Sequence, residues 1–304
     1  MRADAQGRYW RGLDLQAPTP RRVRRTARLL AVVAAISVVL AGCAPIVQRG
    51  WMPGYEDGQV TNHTGRITDL WVNAWVTLLI VGAITWGLMI WCVIVYRKRK
   101  GDERLPVQLR YHVPLEIMYV ILPFLMVGVF FYYTARDMSE IEDLSQEPDV
   151  TIQVVGKQWS FDFNYIDDDV HEVGVHAENV GTAGTEATLP TLYLPVGERV
   201  EFILDSRDVI HSFWVPAFLY KKDMIPWYTN RFQVIPEREG TYAGKCAELC
   251  GEYHSAMLFN VKVVDRAEYD AQMQALRDKG QTGILGIEMQ RDQHPEGVGS
   301  KGEN

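Results

Sequence analysis

Cys246-Ala247-Glu248-Leu249-Cys250-Gly251-Glu252-Tyr253-His254-Ser255-Ala256-Met257 packs two thiols, an imidazole and a thioether into twelve residues. Such a soft donor set selects copper over hard cations. The four-residue spacing of Cys246, Cys250 and His254 would fit one face of a helix, but Gly251 and the strand-like Thr241–Gly244 just ahead favour a loop. Upstream, Asp208-Val209-Ile210-His211-Ser212-Phe213-Trp214-Val215-Pro216 offers a second imidazole between two strand-like runs.

A His on an earlier loop followed by a Cys/His/Met cluster on a later one is the ligand order of cupredoxin copper sites. One thiolate suits a single copper; two thiolates, able to bridge, suit two coppers sharing one electron. Spreading an electron over two metals and two sulfurs keeps bond lengths nearly constant, so little must reorganise at each transfer. A Cys246–Cys250 disulfide, with His254 and Met257 as packing residues, is the alternative. Zinc is the rival metal, although Met is a poor ligand for it. No Cys-x-x-Cys-His is present, so the chain attaches no c-type haem.

Working outward, the sequence around this loop reads as short β-type runs: Val150–Val155, Phe161–Tyr165, Leu192–Val196, Val200–Leu204, Phe232–Ile235, Thr241–Gly244 and Leu258–Val264. Short strands between turn residues, with little helical period before Ala267, predict a β-sandwich or barrel. Residues 137–276 are therefore expected to form a cupredoxin-like domain, entered through the acidic connector Asp137–Asp149. Val180–Thr185 reads as a flexible loop. The Gly-, Gln- and charge-rich residues 277–304 read as a disordered tail.

Toward the N-terminus the chemistry changes. Trp71 to Tyr96 carries no charge over about 26 residues and Val113 to Ala135 carries one acid, each run long enough to cross ~30 Å of hydrocarbon. The fold class expected is thus a two-helix transmembrane hairpin, 71–136, followed by the sandwich. Arg97, Lys98, Arg99, Lys100, Arg104 and Arg110 make the loop between the spans basic, which assigns it to the cytoplasm and the domain to the outside. Glu116 lies near the cytoplasmic start of the second span. It reads either as an interfacial acid reaching the headgroups or as a proton inlet.

Residues 1–42 read as an export signal: five arginines from Arg21 to Arg28, the apolar run Leu29–Ala41, then Leu40-Ala41-Gly42-Cys43. That last tetrapeptide resembles the bacterial lipobox, which implies lipidation of Cys43 and an outer segment 43–70. The lipobox and the loop charges agree on orientation.

Among 304 residues, 47% are hydrophobic and 23% charged, which rules out disorder or a fibrous repeat as the main theme. A mean hydropathy of -0.10 averages the apolar first half with a polar second half. The formal net charge of -7 argues against a nucleic-acid partner. The acidic exterior would attract a basic protein partner, solubility being the plainer explanation.

Cys-x-Glu-x-Cys-Gly-x-x-His-x-x-Met with His-Ser-Phe-x-Val-Pro upstream resembles the dinuclear copper (CuA) site of cytochrome c oxidase subunit 2. Two spans ahead of a cupredoxin domain match that family's layout, and the lipobox suggests an actinobacterial type. The resemblance covers about Trp71 to Leu276. It implies that Cys246 and Cys250 bridge the coppers, that His211 and His254 are terminal ligands, and that Met257 and the Glu248 carbonyl are weak axial ligands. It also implies a magnesium ion reached by the Glu248 carboxylate at the boundary with subunit 1.

Gln158-Trp159-Ser160-Phe161 resembles the family's aromatic stretch, in which the first Trp takes the electron from cytochrome c. Trp159 holds that place, while Phe161 stands where a second Trp is common. By default a strand Trp is a core residue. Glu116 with Leu122-Pro123 resembles the family's second helix, where the Glu marks the mouth of a proton channel. Lys221-Lys222-Asp223-Met224-Ile225-Pro226 also matches, but Trp227-Tyr228 replaces the usual Gly-Arg.

The function so implied is subunit 2 of an aa3-type cytochrome c oxidase in a bacterial cell membrane. It would take electrons from cytochrome c, or from a c-type cytochrome of a bc complex, and pass them to haem in subunit 1, where oxygen reduction drives proton pumping. Subunit 1, other oxidase subunits and membrane lipid are the partners implied. Two other readings compete: subunit 2 of a quinol oxidase, which would lack the copper ligands, and a lipid-anchored copper chaperone or storage protein, which would need neither two spans nor Glu116.

Overall fold

The computed structural model of the chain describes residues 28–30, 33, 37, 44–53, 59–98, 100–101, 108–177, 180 and 185–286. The expected signal peptide falls almost wholly outside these residues and Cys43 wholly outside. The chain divides into a unit ending at Gln48, in which Pro45–Gln48 make one helical turn, and a unit from Arg49 onward that holds the elements below.

Two long helices come first, α1 (Thr64–Val95) and α2 (Val113–Ile141), both long and apolar enough to span a membrane. Helix α1 starts ahead of the charge-free run, and α2 continues past it through Arg136 to Ile141. These polar extensions are helical because they are tied elsewhere. The Thr64 hydroxyl donates to the Thr61 carbonyl at 2.8 Å, Thr61 bridges to Pro236, and Ile235 N–H donates to Asn62 Oδ1 at 2.9 Å. At the end of α2, the nearly buried Asp137 carboxylate receives Arg66 at 3.1 Å and Arg136 at 2.7 Å. Just beyond, Glu142 accepts from the Tyr220 hydroxyl and the Lys222 ammonium. Pro123 sits inside α2, as membrane helices tolerate.

Ten strands follow: β1 (Val150–Lys157), β2 (Ser160–Tyr165), β3 (Val170–Glu172), β4 (Thr191–Pro195), β5 (Val200–Ser206), β6 (His211–Val215), β7 (Tyr220–Met224), β8 (Asn230–Val234), β9 (Gly240–Cys246) and β10 (Leu258–Val264). They make two five-stranded sheets, β3-β2-β1-β5-β8 and β4-β10-β9-β6-β7, with β1 parallel to β5 and β4 parallel to β10. The expected sandwich is therefore present.

Alternating burial along β9 and β10 marks one face turned inward. Between the sheets lie Phe161, Phe202, Phe213, Phe232 and Phe259, with centroids 5.0 Å apart for Phe161–Phe259 and 5.2 Å for Phe213–Phe259. Such pairs add about 0.5–1.5 kcal/mol each beyond area burial.

Strand β2 is buried on both faces because its polar side is covered as well. There Asp162 receives Gly174 N–H at 2.7 Å and pairs with Lys157 at 2.8 Å and Arg207 at 2.9 Å. Asn164 receives Leu285 N–H at 3.0 Å.

That last contact corrects one expectation. Residues 277–304 are not disordered throughout. Helix α3 (Arg266–Asp278) runs past 276, and residues 279–286 dock on the β2–β3 edge through Gly283 N–H to the Asp169 carbonyl at 2.8 Å and a Val170–Thr282 bridge. Their glycines, with positive φ at Gly280 and Gly283, let the chain fold back onto the sheet. Residues 287–304 lie outside the described residues.

Candidate metal centre

Strand pairing assembles the site. His211 opens β6, Cys246 closes β9, and Phe213 pairs with Cys246 across the two strands. Met257 immediately precedes β10, and Cys246 N–H donates to its carbonyl at 3.0 Å, so residues 247–257 form a loop closed at its neck. The loop reading of the ligand stretch holds, with a single 3-10 turn at His254–Ala256. His211 itself is not on a loop, as expected from the sequence, but is the first residue of a strand.

The two sulfurs lie 3.8 Å apart and both cysteines are free, so they form no disulfide. His211 Nδ1 is 3.9 Å from Cys246 Sγ, and His254 Nδ1 is 3.5 Å from Cys250 Sγ. Met257 Sδ stands 3.8 Å from Cys250 Sγ, and the Glu248 carbonyl 3.2 Å from Cys246 Sγ. His211, Cys246, Cys250 and Met257 are all buried and His254 partly so. His211, Cys246 and Cys250 form a group whose donor atoms lie within 4.8 Å of one another, close enough to hold a metal ion.

Around these donors runs a brace of hydrogen bonds. Asp208 Oδ1 meets His211 Nε2 at 2.7 Å, and Asp208 Oδ2 receives Gln158 N–H at 2.7 Å. Gln158 Nε2 and Trp159 Nε1 both donate to the Cys250 carbonyl, at 2.7 and 3.3 Å. A carboxylate behind an imidazole fixes its tautomer and raises its strength as a ligand. Gly156 gives the ring its room, since a Cβ there would stand 2.9 Å from His211 Cδ2.

Burial by itself would lower the His211 imidazole, but Asp208 and the two sulfurs raise it, to about 11. Burial pushes both thiols up. At Cys246 the His211 imidazole together with hydrogen bonds to the Glu248 and Ser212 backbone outweighs this, and the thiol comes down to about 7, whereas Cys250 stays raised. Metal arriving here must therefore displace protons. A pair of unoxidised sulfurs, two imidazoles turned by Nδ1 toward them and a buried thioether fit a thiophilic ion, and the surrounding strands exclude water.

The remaining expected residues lie apart. Glu248 and Leu249 are exposed on the loop, so the Glu248 carboxylate faces away from the sulfurs that its carbonyl approaches. Trp159 sits not within a strand but on the turn between β1 and β2, half-buried against the core. Glu116 caps α2: its Oε1 receives His112 N–H at 2.9 Å, while His112 Nδ1 receives Leu115 N–H at 3.2 Å, a reciprocal cap the sequence reading missed. Also missed were Asp208, Gln158 and Gly156. The spacing Asp-x-x-His was the available signal for the first; the other two depend on contacts between distant strands.

Residues 150–264 match the family model described as cytochrome c oxidase subunit II, periplasmic domain. A protein named probable cytochrome c oxidase subunit 2 in Streptomyces avermitilis is 43% identical over 299 residues, covering 88% of this chain and 92% of the relative. One of the same name in Streptomyces coelicolor is 41% identical over 303 residues, with 88% and 92% covered. The crystal structure of the periplasmic domain of subunit II of cytochrome oxidase from Bradyrhizobium japonicum aligns at 27% identity with a TM-score of 0.41, over 45% of this chain and 99% of that one.

Proposed function

The chain belongs to the cytochrome c oxidase subunit 2 family, a subunit of the haem-copper oxidase complex, and from that premise we propose that it receives electrons from a c-type cytochrome and delivers them to haem in subunit 1 of an aa3-type, proton-pumping enzyme. One observation carries the reading: two free thiols 3.8 Å apart, each with a histidine Nδ1 beside it.

The ligands we assign are His211 and His254 through Nδ1, Cys246 and Cys250 through sulfur, and more weakly Met257 Sδ and the Glu248 carbonyl. Copper bound by them supplies a one-electron store shared by two metal ions and two sulfurs. The protein's part is to keep the donors still. Asp208 orients His211, the closed neck between Cys246 and Met257 fixes the loop, and burial keeps water off the sulfurs. Glu248, exposed on the same loop, is the carboxylate assigned to magnesium at the boundary with subunit 1.

Trp159 is assigned the electron-receiving role, a reading supported by its indole N–H bond to a ligand cysteine's carbonyl. Glu116 is assigned the proton-channel mouth; its carboxylate lies in the first turn of α2, next to the basic loop. That loop's charge supports a cytoplasmic location for the helix turn and an extracytoplasmic one for the copper domain, in a bacterial cell membrane. Cys43 is assigned the lipid, and the acidic exterior would favour a basic cytochrome.

Metal analysis of the purified chain tests the reading. Two coppers per chain with a mixed-valence spectrum is the expected result. No copper would favour the quinol-oxidase alternative, and a single labile cuprous ion the storage alternative; either would overturn the proposal.

A further inference from the structure

Building on the reading of Trp159 as electron acceptor, we propose that Tyr253 is this subunit's donor-facing contact: it holds the Trp159 ring against the ligand loop and gives the haem edge of an incoming c-type cytochrome an aromatic surface to land on. Tyr253 belongs to the ligand loop, immediately before His254. Its ring meets Trp159 edge-on at 4.9 Å and 74°, and the His176 ring also meets it edge-on at 4.9 Å and 86°.

Exposure sets the order of these groups. Tyr253 is 44% exposed, whereas Trp159 is half-buried and rests on the core. Of the two rings in contact the tyrosine is therefore the more accessible to an approaching partner, and the indole in turn reaches the Cys250 carbonyl at 3.3 Å. Leu249, 77% exposed on the same loop, adds apolar surface. The haem edge of a c-type cytochrome is itself planar and apolar, and a rigid aromatic side chain contacts such a surface at low entropic cost.

The transfer this contact serves moves one electron. The donor's ferrous haem becomes ferric and the centre in the loop is reduced by one equivalent. The phenol is neither oxidised nor deprotonated, so its hydroxyl is dispensable and its ring is not.

The test uses the assembled oxidase carrying Tyr253→Ala or Tyr253→Phe, with two reductants: a reduced, soluble, basic c-type cytochrome, and hexaammineruthenium(II), which needs no docked geometry. With Y253A, kcat/KM for the cytochrome should fall about tenfold, the loss typical of truncating one buried aromatic contact. The rate with hexaammineruthenium(II) and the near-infrared copper absorption should stay unchanged. With Y253F all three should remain close to the parent enzyme.

Wild-type kcat/KM in Y253A would defeat the proposal. So would equal losses with both reductants together with a shifted copper absorption, which would make Tyr253 a mere support of the ligand loop. A parent enzyme that lacks two coppers or fails to oxidise the cytochrome would sink the underlying functional reading, and this proposal with it.

Discussion

Asp208 Oδ1 lies 2.7 Å from His211 Nε2, and the ring's other nitrogen faces the Cys246 sulfur at 3.9 Å. The carboxylate thus determines which nitrogen is left for a metal. Asp208→Asn removes the charge and lets the amide flip, so it should weaken copper retention by about 10–100-fold. Competition with a copper chelator measures this; unchanged retention would mean that His211 is held by packing alone.

Gly156 lies beneath the same imidazole. Alanine there places a methyl 2.9 Å from Cδ2, in an ordinary strand conformation, so the histidine rather than the backbone must give way. The variant should fold, with its circular dichroism preserved, and bind copper well below the parent content. A full copper complement would show that the ring has slack.

Glu116 has two jobs to separate. Its Oε1 caps α2 through His112 N–H, and glutamine can accept the same bond without titrating. Glu116→Gln should therefore leave assembly and cytochrome affinity intact while slowing turnover, and Glu116→Ala should also fray the helix start. If the glutamine variant turns over at the parent rate, the residue is a cap and nothing more.

Glu172, on β3, offers a pH test on a group that is not among the assigned metal ligands. Burial raises its carboxyl above the ordinary value, with Lys279 and His171 opposing in part. A carboxyl raised in the folded state favours folding below its unfolded pKa and loses that contribution as pH climbs through the folded value. Glu172→Gln should accordingly raise the Tm by about one to two degrees at pH 8 and leave it unchanged at pH 4. Thermal scans at the two pH values decide it, and an equal shift at both would implicate packing instead.

What could be read in advance followed from local pattern. The ligand loop was legible because its donors are close in sequence and Gly251 breaks the helical alternative. Strands β1, β5 and β10 were legible because their apolar residues recur with a strand's spacing. Strand β7 was missed: Lys221, Lys222 and Asp223 give it no apolar run, and it exists because β6 pairs with it. The start of α1 at Thr64 and the docking of residues 279–286 escaped for a shared reason. Each rests on partners far along the chain, Pro236 for one and Asn164 and Asp169 for the other. The contact between Tyr253 and Trp159 joins a turn to a loop 94 positions away, and no spacing rule reaches that far.

The sandwich stands on two feet. Asn62 and Thr61 at the head of α1 grip the strand edge near Pro236, while Glu142 beyond α2 grips Tyr220 and Lys222. Two moorings restrain how far the body can lean relative to the helix pair. The height of the ligand loop over the helix pair is thereby set when the chain folds.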